Sequence, residues 1–308
     1  MTTMTMTQAN GMTAAAEVWA VDADGGAARR IEGVYGSCEA LRLTSDGLRL
    51  EAGQGLVGAV AAREVPILLD ELDDESFERC EAARASGVDG ALALPLFDEG
   101  RLTHVAVLMF RGAAGMVGAV ELWTGRRGRF ELGLAEAFAP GLDRFAALSQ
   151  HVNFPMGSGL PGLVWQSSRP MLLKGIGTSV KFLRSTGAET AGLTTGIGYP
   201  VRKGNELQAV ALWLSSAVSP LLKRHEVWLS ETGDAAGLQL ADVADEAGSL
   251  ERADGLKGYA ERAAQERRPV VFDVSDAQAF RGANEIVAGV ALPVLVHDRV
   301  TAVGVIAW

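Results

Sequence analysis

The chain of 308 residues is 48% hydrophobic and 21% charged, with a formal net charge of −10 and two cysteines. That length exceeds what one hydrophobic core fills, so two or three domains are expected, and the apolar content excludes disorder, collagen and coiled coil. The acidic balance argues against nucleic acid as a partner, no apolar run is long enough to span a membrane, and two cysteines fit a reducing cytoplasm rather than a disulfide framework.

Residues 1–14 read as an uncharged, disordered tail without the basic and apolar regions of a secretory signal. A strand then opens at Glu17-Val18-Trp19, and Asp24-Gly25-Gly26 signals a turn into a second strand, Arg30 to Tyr35. Leu48 to Glu51 reads as a strand leading into the glycine loop Gly53-Gln54-Gly55-Leu56-Val57-Gly58. A helix of about two turns follows until Pro66 ends it and opens the strand Ile67 to Leu69. Asp73 to Ala85 has the pattern of a helix with Phe77 and Cys80 on one stripe, Gly87 closes it, and a hairpin turns at Asp98-Glu99-Gly100.

The same landmarks return twice. Glu-x-Trp recurs as Glu121-Leu122-Trp123 and Glu226-Val227-Trp228, with the tryptophans 104 and 105 residues apart. A glycine loop, short helix and proline-led strand recur from Gly157 and from Asp254, and a hairpin with a proline in its first strand closes each copy at Pro95, Pro200 and Pro293. From the last loop glycine to that proline is 37, 38 and 35 residues for Gly58, Gly162 and Gly258. The repeat predicts three units, 15–112, 113–216 and 217–308, with seams near 112–116 and 215–224. Hairpins at both ends of each unit predict an antiparallel sheet with helices packed on it, class α+β.

These residues resemble the GAF domain family, small-molecule-sensing relatives of PAS domains. The middle unit carries the closest likeness, in Phe154-Pro155-Met156-Gly157-Ser158-Gly159-Leu160-Pro161-Gly162 and in Phe182-Leu183-Arg184 before Gly196-Ile197-Gly198-Tyr199-Pro200. The third unit is degenerate, with Ala253 in place of the first loop glycine. The resemblance implies a ligand pocket between sheet and helices and terminal signalling helices. The chain has no room for such a helix between Phe110 and Val117, so the apolar sheet faces must be covered by a neighbouring unit or by another chain.

Several patterns carry no chemistry. Gly53-x-Gly55-x-x-Gly58 and its copy at Gly157 match a dinucleotide fingerprint, but the helix is cut short by a proline, and the acid expected to hold a ribose is replaced by Lys174 in the second copy. His104, His151, His225 and His297 lack ligand spacing, with His104 and His297 expected at the surface near hairpin turns. Cys80 reads as core, as do Trp19, Trp123 and Trp228. The family's catalytic cysteine, bilin-attachment and cyclic-nucleotide signatures are absent, so no cofactor, metal site or catalytic residue is expected.

Charge divides unevenly: the three units carry −9, +4 and −5. One reading is complementarity between the basic middle unit and its acidic neighbours. The other is an anionic ligand in the middle pocket, held by Lys174, Lys181 or Arg184 with Trp165 or Phe182 as the aromatic contact. Arg126-Arg127-Gly128-Arg129 reads as a solvated turn or a docking point for an acidic partner. The functional expectation is a non-catalytic, cytoplasmic GAF-repeat protein for signalling or regulation that binds a small molecule, a protein partner or both. The alternative is a scaffold with filled pockets that works through self-association.

Overall fold

The computed structural model describes residues 12–112, 116–126, 128–218, 220–245, 256–273 and 288–308. The first unit runs β1 (Thr13–Val21), β2 (Ala27–Val34), α1 (Glu39–Ser45), β3 (Arg49–Glu51), α2 (Gly55–Arg63), β4 (Ile67–Leu69), α3 (Cys80–Ala85), β5 (Gly90–Asp98) and β6 (Arg101–Phe110). The second repeats that order: β7 (Gly118–Gly125), β8 (Glu131–Phe138), α4 (Asp143–Gln150), β9 (Asn153–Pro155), α5 (Gly159–Ser167), β10 (Met171–Lys174), α6 (Ser185–Thr190), β11 (Thr195–Lys203) and β12 (Glu206–Ser215). The third is described as β13 (Arg224–Ser230), β14 (Leu238–Asp245), α7 (Lys257–Glu266), β15 (Val270–Asp273), β16 (Ala288–Val296) and β17 (Arg299–Ala307).

Among the described residues all pairings are antiparallel; the orders β3-β2-β1-β6-β5-β4 and β9-β8-β7-β12-β11-β10 are one topology, and the five-stranded β14-β13-β17-β16-β15 repeats it without the edge strand that corresponds to β3 and β9. The hairpin prolines suit their positions. Pro95, Pro200 and Pro293 each lie two residues beyond the last pairing with the short edge strand, where the missing N–H interrupts no ladder.

Two expectations are corrected. Thr13 and Ala14, expected in the tail, belong to β1, where Thr13 pairs with Phe110 and both residues are buried; residues 1–11 lie outside the described residues. The helix expected over 73–85 exists only as α3 from Cys80. The Asp73 carboxylate accepts from the Glu75 and Ser76 amides (2.9 and 2.7 Å) and the Ser76 hydroxyl (2.9 Å), a local turn that competes with the helical ladder. Phe77 and Cys80 are nevertheless both buried, as expected. Of the seams, residues 113–115 and 219 lie outside the described residues, as does Ala253.

Each sheet buries its helix-side face in its own core and its opposite face in one shared core. That shared core gathers Leu92, Leu94 and Leu108 of the first unit, Ile197, Tyr199 and Trp213 of the second, and Val227, Leu292 and Ile306 of the third. The units meet cyclically: β4 packs on β7 and β8, β10 on β13 and β14, and β15 on β1 and β2. Each interface repeats the next, so the chain closes a pseudo-threefold ring upon itself, and the sheet faces that lack covering helices are covered by neighbouring units. Phe110 stacks on Phe138 across one such seam (5.8 Å).

Ion pairs mark the seams. At equivalent positions, the left-handed residue ending a helix reaches the hairpin tip of the next unit: Glu64 pairs with Lys203, and Arg267 pairs with Asp98. Lys174 pairs with Asp242 (3.4 Å), and Glu32 receives Arg262 and Arg268 (2.7 and 2.6 Å). The basic middle unit therefore meets acids on both sides, which supports the complementarity reading of the charge division.

The glycine loops are a packing device in two units. A Cβ on Gly58 or Gly162 would overlap the carbonyl oxygen of Glu51 or Pro155, whereas one on Gly258 would meet nothing within 4 Å. Counted back from the shared left-handed caps, Gly258 matches Gly55, not Gly58, and the counterparts of Trp165 are Ala61 and Ala264. Gly162→Ala is expected to cost about 1–3 kcal/mol by overpacking. Gly258→Ala is expected to be neutral or to stabilise by up to about 1 kcal/mol through reduced chain entropy. Thermal denaturation of the two variants checks the pair.

Candidate functional site

The alternation of a strand puts Glu and Trp of each Glu-x-Trp on one face, and here that face looks into the helix-side core. Trp19, Trp123 and Trp228 donate their indole N–H to Glu17, Glu121 and Glu226 at 3.0, 2.9 and 2.8 Å. All three carboxylates are buried. A buried carboxylate demands a cation, and the units find it in two ways. In the first two, an arginine just before the last helix supplies it: Arg79 donates to Glu17 through both Nη atoms (2.6 and 3.1 Å), and Arg184 to Glu121 (2.5 and 2.8 Å). In the third, Arg224 reaches Glu226 from the same strand, Nε to Oε1 at 2.6 Å.

Ser45 and Ser149, at equivalent helix ends, complete the first two sets. Each hydroxyl accepts from its arginine, and Ser149 donates to Glu121 at 3.0 Å. Tyr35 donates to Glu17 at 2.6 Å. Burial pushes the Glu17 carboxyl up, but the charge and hydrogen bonds of Arg79 outweigh it, helped by Tyr35, and hold it below the usual carboxylate range. The Arg184 guanidinium lies among four rings, with centroids at 4.7 Å for Phe145, 5.1 Å for Trp123 and Phe182, and 5.8 Å for Phe154. This space between sheet and helices is filled by side chains.

The five residues expected to hold a ligand are thus separated. Phe182 and Arg184 are sealed in the core, and Trp165 is half-buried against it. Lys174 is exposed and pairs with Asp242 of the third unit, while Lys181 is exposed on the surface. Lys174 and Lys181 therefore lie outside the core that holds Phe182 and Arg184. Sequence reasoning missed Glu17, Glu121, Ser45, Ser149 and Arg79. Their signal was internal: Glu17 to Arg79 and Glu121 to Arg184 keep separations of 62 and 63 residues, each arginine two residues after a phenylalanine.

Open cavities among the described residues include two that lie elsewhere. One of about 240 Å³ lies in the first unit between α2, β4 and the following turn, lined by Gly53, Gly55, Arg63, Leu69, Asp73 and Ser76 among others. The other, about 250 Å³, sits where the three hairpin tips converge, with Phe97 and Leu295 beside Glu99, Asn205, His297 and Asp298. His297 is exposed there as expected, whereas His104 is half-buried in β6. Among the described residues no group of three His, Cys, Asp or Glu is placed to hold a metal ion, and no helix is long and apolar enough to cross a membrane.

Neither a protein-family model nor a curated protein matches the sequence. Among solved structures, the NLH2 GAF domain of A. aeolicus is similar at 20% identity over 32% of this chain and 58% of that one, with a TM-score of 0.27. The GAF domain of a Coxiella burnetii phosphoenolpyruvate-protein phosphotransferase is 27% identical over 32% and 56%, with a TM-score of 0.26. S. aureus NreA, altered in its nitrate-binding site, is 15% identical over 35% and 79%, with a TM-score of 0.28. The chain spans little more than half the length of the first two. Its structural neighbours are GAF domains, each covering about a third of it, and its own architecture is α+β with three antiparallel sheets.

Proposed function

We propose that this chain is a non-catalytic regulatory scaffold of the cytoplasm, acting through a protein partner rather than through a small molecule held in its GAF-like interiors. The observation that carries this reading is the filled interior: both Nη groups of Arg184 bind Glu121 inside a shell of four aromatic rings, and Arg79 does the same for Glu17. An arginine so engaged cannot hold an incoming anion without abandoning a buried carboxylate. The ring closure also bears on self-association, because the sheet faces that would have required a second chain are covered within this one. The two buried thiols, Cys38 and Cys80, are free, in keeping with a reducing compartment.

A second reading keeps a small molecule but moves it. The cavity beside α2 of the first unit is open, and Arg63 and Asp73 give it both signs of charge. Native mass spectrometry of the freshly purified chain, with thermal shift against sodium nitrate, sodium phosphate and a mixed metabolite set, separates the readings. The scaffold reading expects the bare chain mass and a melting temperature that no small molecule moves. Nitrate is included because NreA is described by its nitrate site. A ligand at a hundred times its Kd would add about 2.7 kcal/mol. A saturable shift that survives Arg184→Lys but not Arg63→Ala supports the second reading; one lost with Arg184→Lys restores the middle-unit pocket and overturns the scaffold.

A further inference from the structure

The repeat supplies an internal control: wherever unit two differs from unit one at a surface position, the shared fold does not require the difference. The segment Asp73-Asp74-Glu75-Ser76-Phe77-Glu78 of the first unit stands where the second has Thr178-Ser179-Val180-Lys181-Phe182-Leu183. The phenylalanine is core in both, but four acids have become neutral or apolar residues, and a serine has become a lysine. Ala40 and Thr44 on α1 correspond to Arg144 and Leu148 on α4, and Ala52 to Met156. The changes create exposed apolar groups: Val180 is 94% exposed, Leu183 53%, Met156 52% and Leu148 51%.

Leu148, Met156 and Leu183 stand on segments that meet in space, and Val180 precedes Leu183 by three residues in the same segment. Leu183 borders Gly159, which lies three residues beyond Met156, and Leu148 borders Gly187 on α6, the helix that follows Leu183. Lys181, two residues before Leu183, and Arg144, one helical turn before Leu148 on α4, are both exposed. Isolated surface leucines are ordinary; four large exposed apolar groups on neighbouring segments, where the first unit has Glu75, Glu78, Ala52 and Thr44, mark an interaction surface.

The occupant's chemistry is written in the first unit. There the Glu78 carboxylate accepts from Arg79 Nε at 3.1 Å. In the second unit the carboxylate is replaced by Leu183, and the buried Nε of Arg184 has no hydrogen-bond partner. The first unit thus keeps a carboxylate at this rim, whereas the second lacks it and presents the exposed cations Lys181 and Arg144, which call for acidic groups on whatever covers the face. We propose that this face of the middle unit docks a partner protein through an acidic amphipathic segment, whose apolar side chains cover Leu148, Met156, Val180 and Leu183 and whose carboxylates meet the exposed cations Lys181 and Arg144. This rests on the scaffold reading above and names its partner's chemistry.

The test uses the full chain and two synthetic helical peptides with the same leucine stripe, one carrying glutamates on its flanks and the other lysines. Fluorescence anisotropy is expected to show saturable, salt-sensitive binding of the glutamate peptide and at least tenfold weaker binding of the lysine peptide. Leu183→Glu, which restores the first unit's own carboxylate, is expected to weaken the glutamate peptide at least tenfold without lowering the melting temperature. Val180→Glu with Leu148→Thr, also first-unit residues, is expected to do the same. Equal binding by wild type and variants, or equal binding of both peptides, overturns the proposal. Concentration-dependent dimerisation that the variants abolish assigns the face to a second copy and overturns it as well. Failure here with an unmoved small-molecule thermal shift leaves the scaffold reading standing, so the two fail separately.

Discussion

Chemical unfolding of the Arg184→Met variant is expected to show a loss of about 3–5 kcal/mol, the cost of leaving a buried charge without its partner. Glu121 is 1% exposed and has two other donors, the Ser149 hydroxyl and the Trp123 indole, neither of which carries charge. Adding Glu121→Gln to Arg184→Met should recover part of the loss, because glutamine removes the charge and keeps an acceptor for the indole. The double variant is therefore expected to be more stable than Arg184→Met alone, with a coupling of about 1–3 kcal/mol in the cycle. Tryptophan fluorescence reports the same event, since Trp123 packs edge-on against Phe154 at 4.7 Å in this core. A single variant within 1 kcal/mol of wild type would mean that the ion pair is not a structural element. Arg184 would then be free for a ligand, and the filled-interior reading would fall with it.

That residue also shows where the sequence stops being legible. The repeat, the element order and the hairpin prolines are readable because they follow from local backbone requirements that each unit must meet alone. Pro66 and Pro170 stand two residues beyond the left-handed caps Glu64 and Ser168, where no helix can resume, and a proline beyond the edge pairing interrupts no ladder there. The role of Arg184 depends instead on a carboxylate 63 residues away. An arginine aimed at a ligand and one aimed at a buried glutamate look alike until the partner is known. Ring closure is hidden for a similar reason: an apolar sheet face reads the same whether a neighbouring unit or a second chain covers it. The over-long helix at 73–85 has a nearer cause, since Asp73 could have been read as a turn former three residues before Ser76.

The seams carry a consistent electrical logic. Unit one presents acids at both of its cap-and-tip positions, Glu64 and Asp98, while the facing groups are Lys203 of unit two and Arg267 of unit three. Copies of unit one meeting each other in this geometry would oppose acid to acid. The pairing thus favours the order found in the chain over a ring of identical units, a specificity gained from repulsion as well as attraction.

The second large effect is a dependence of stability on pH that arises in the shared core. His225 stands on β13 where the first two units have Ala16 and Val120, beside its register partners Ala244 and Ile306, and is 1% exposed. Neither ring nitrogen has a hydrogen-bond partner. Burial therefore lowers its pKa to about 4. The sign follows from the two states: above pH 6.5 the ring is neutral whether the chain is folded or not, and no stability is at stake. As pH falls from about 6.5 toward about 4, the unfolded chain takes up a proton that the folded chain refuses, so stability is lost across that window. At pH 5 the loss from this one group is about 2 kcal/mol relative to pH 7.5. His104 is lowered to about 4 as well, by burial first and then by Arg268, and it adds to the slope from the joint between units one and three. Replacing His225 with valine, the residue unit two uses, should remove its share while leaving that of His104. The measurement is urea unfolding of wild type and His225→Val at pH 7.5, 6 and 5. Parallel pH profiles for the two proteins would refute the assignment. A variant gaining on wild type by about 2 kcal/mol between pH 7.5 and 5 would place an acid-sensitive point at the strand where unit three joins unit two.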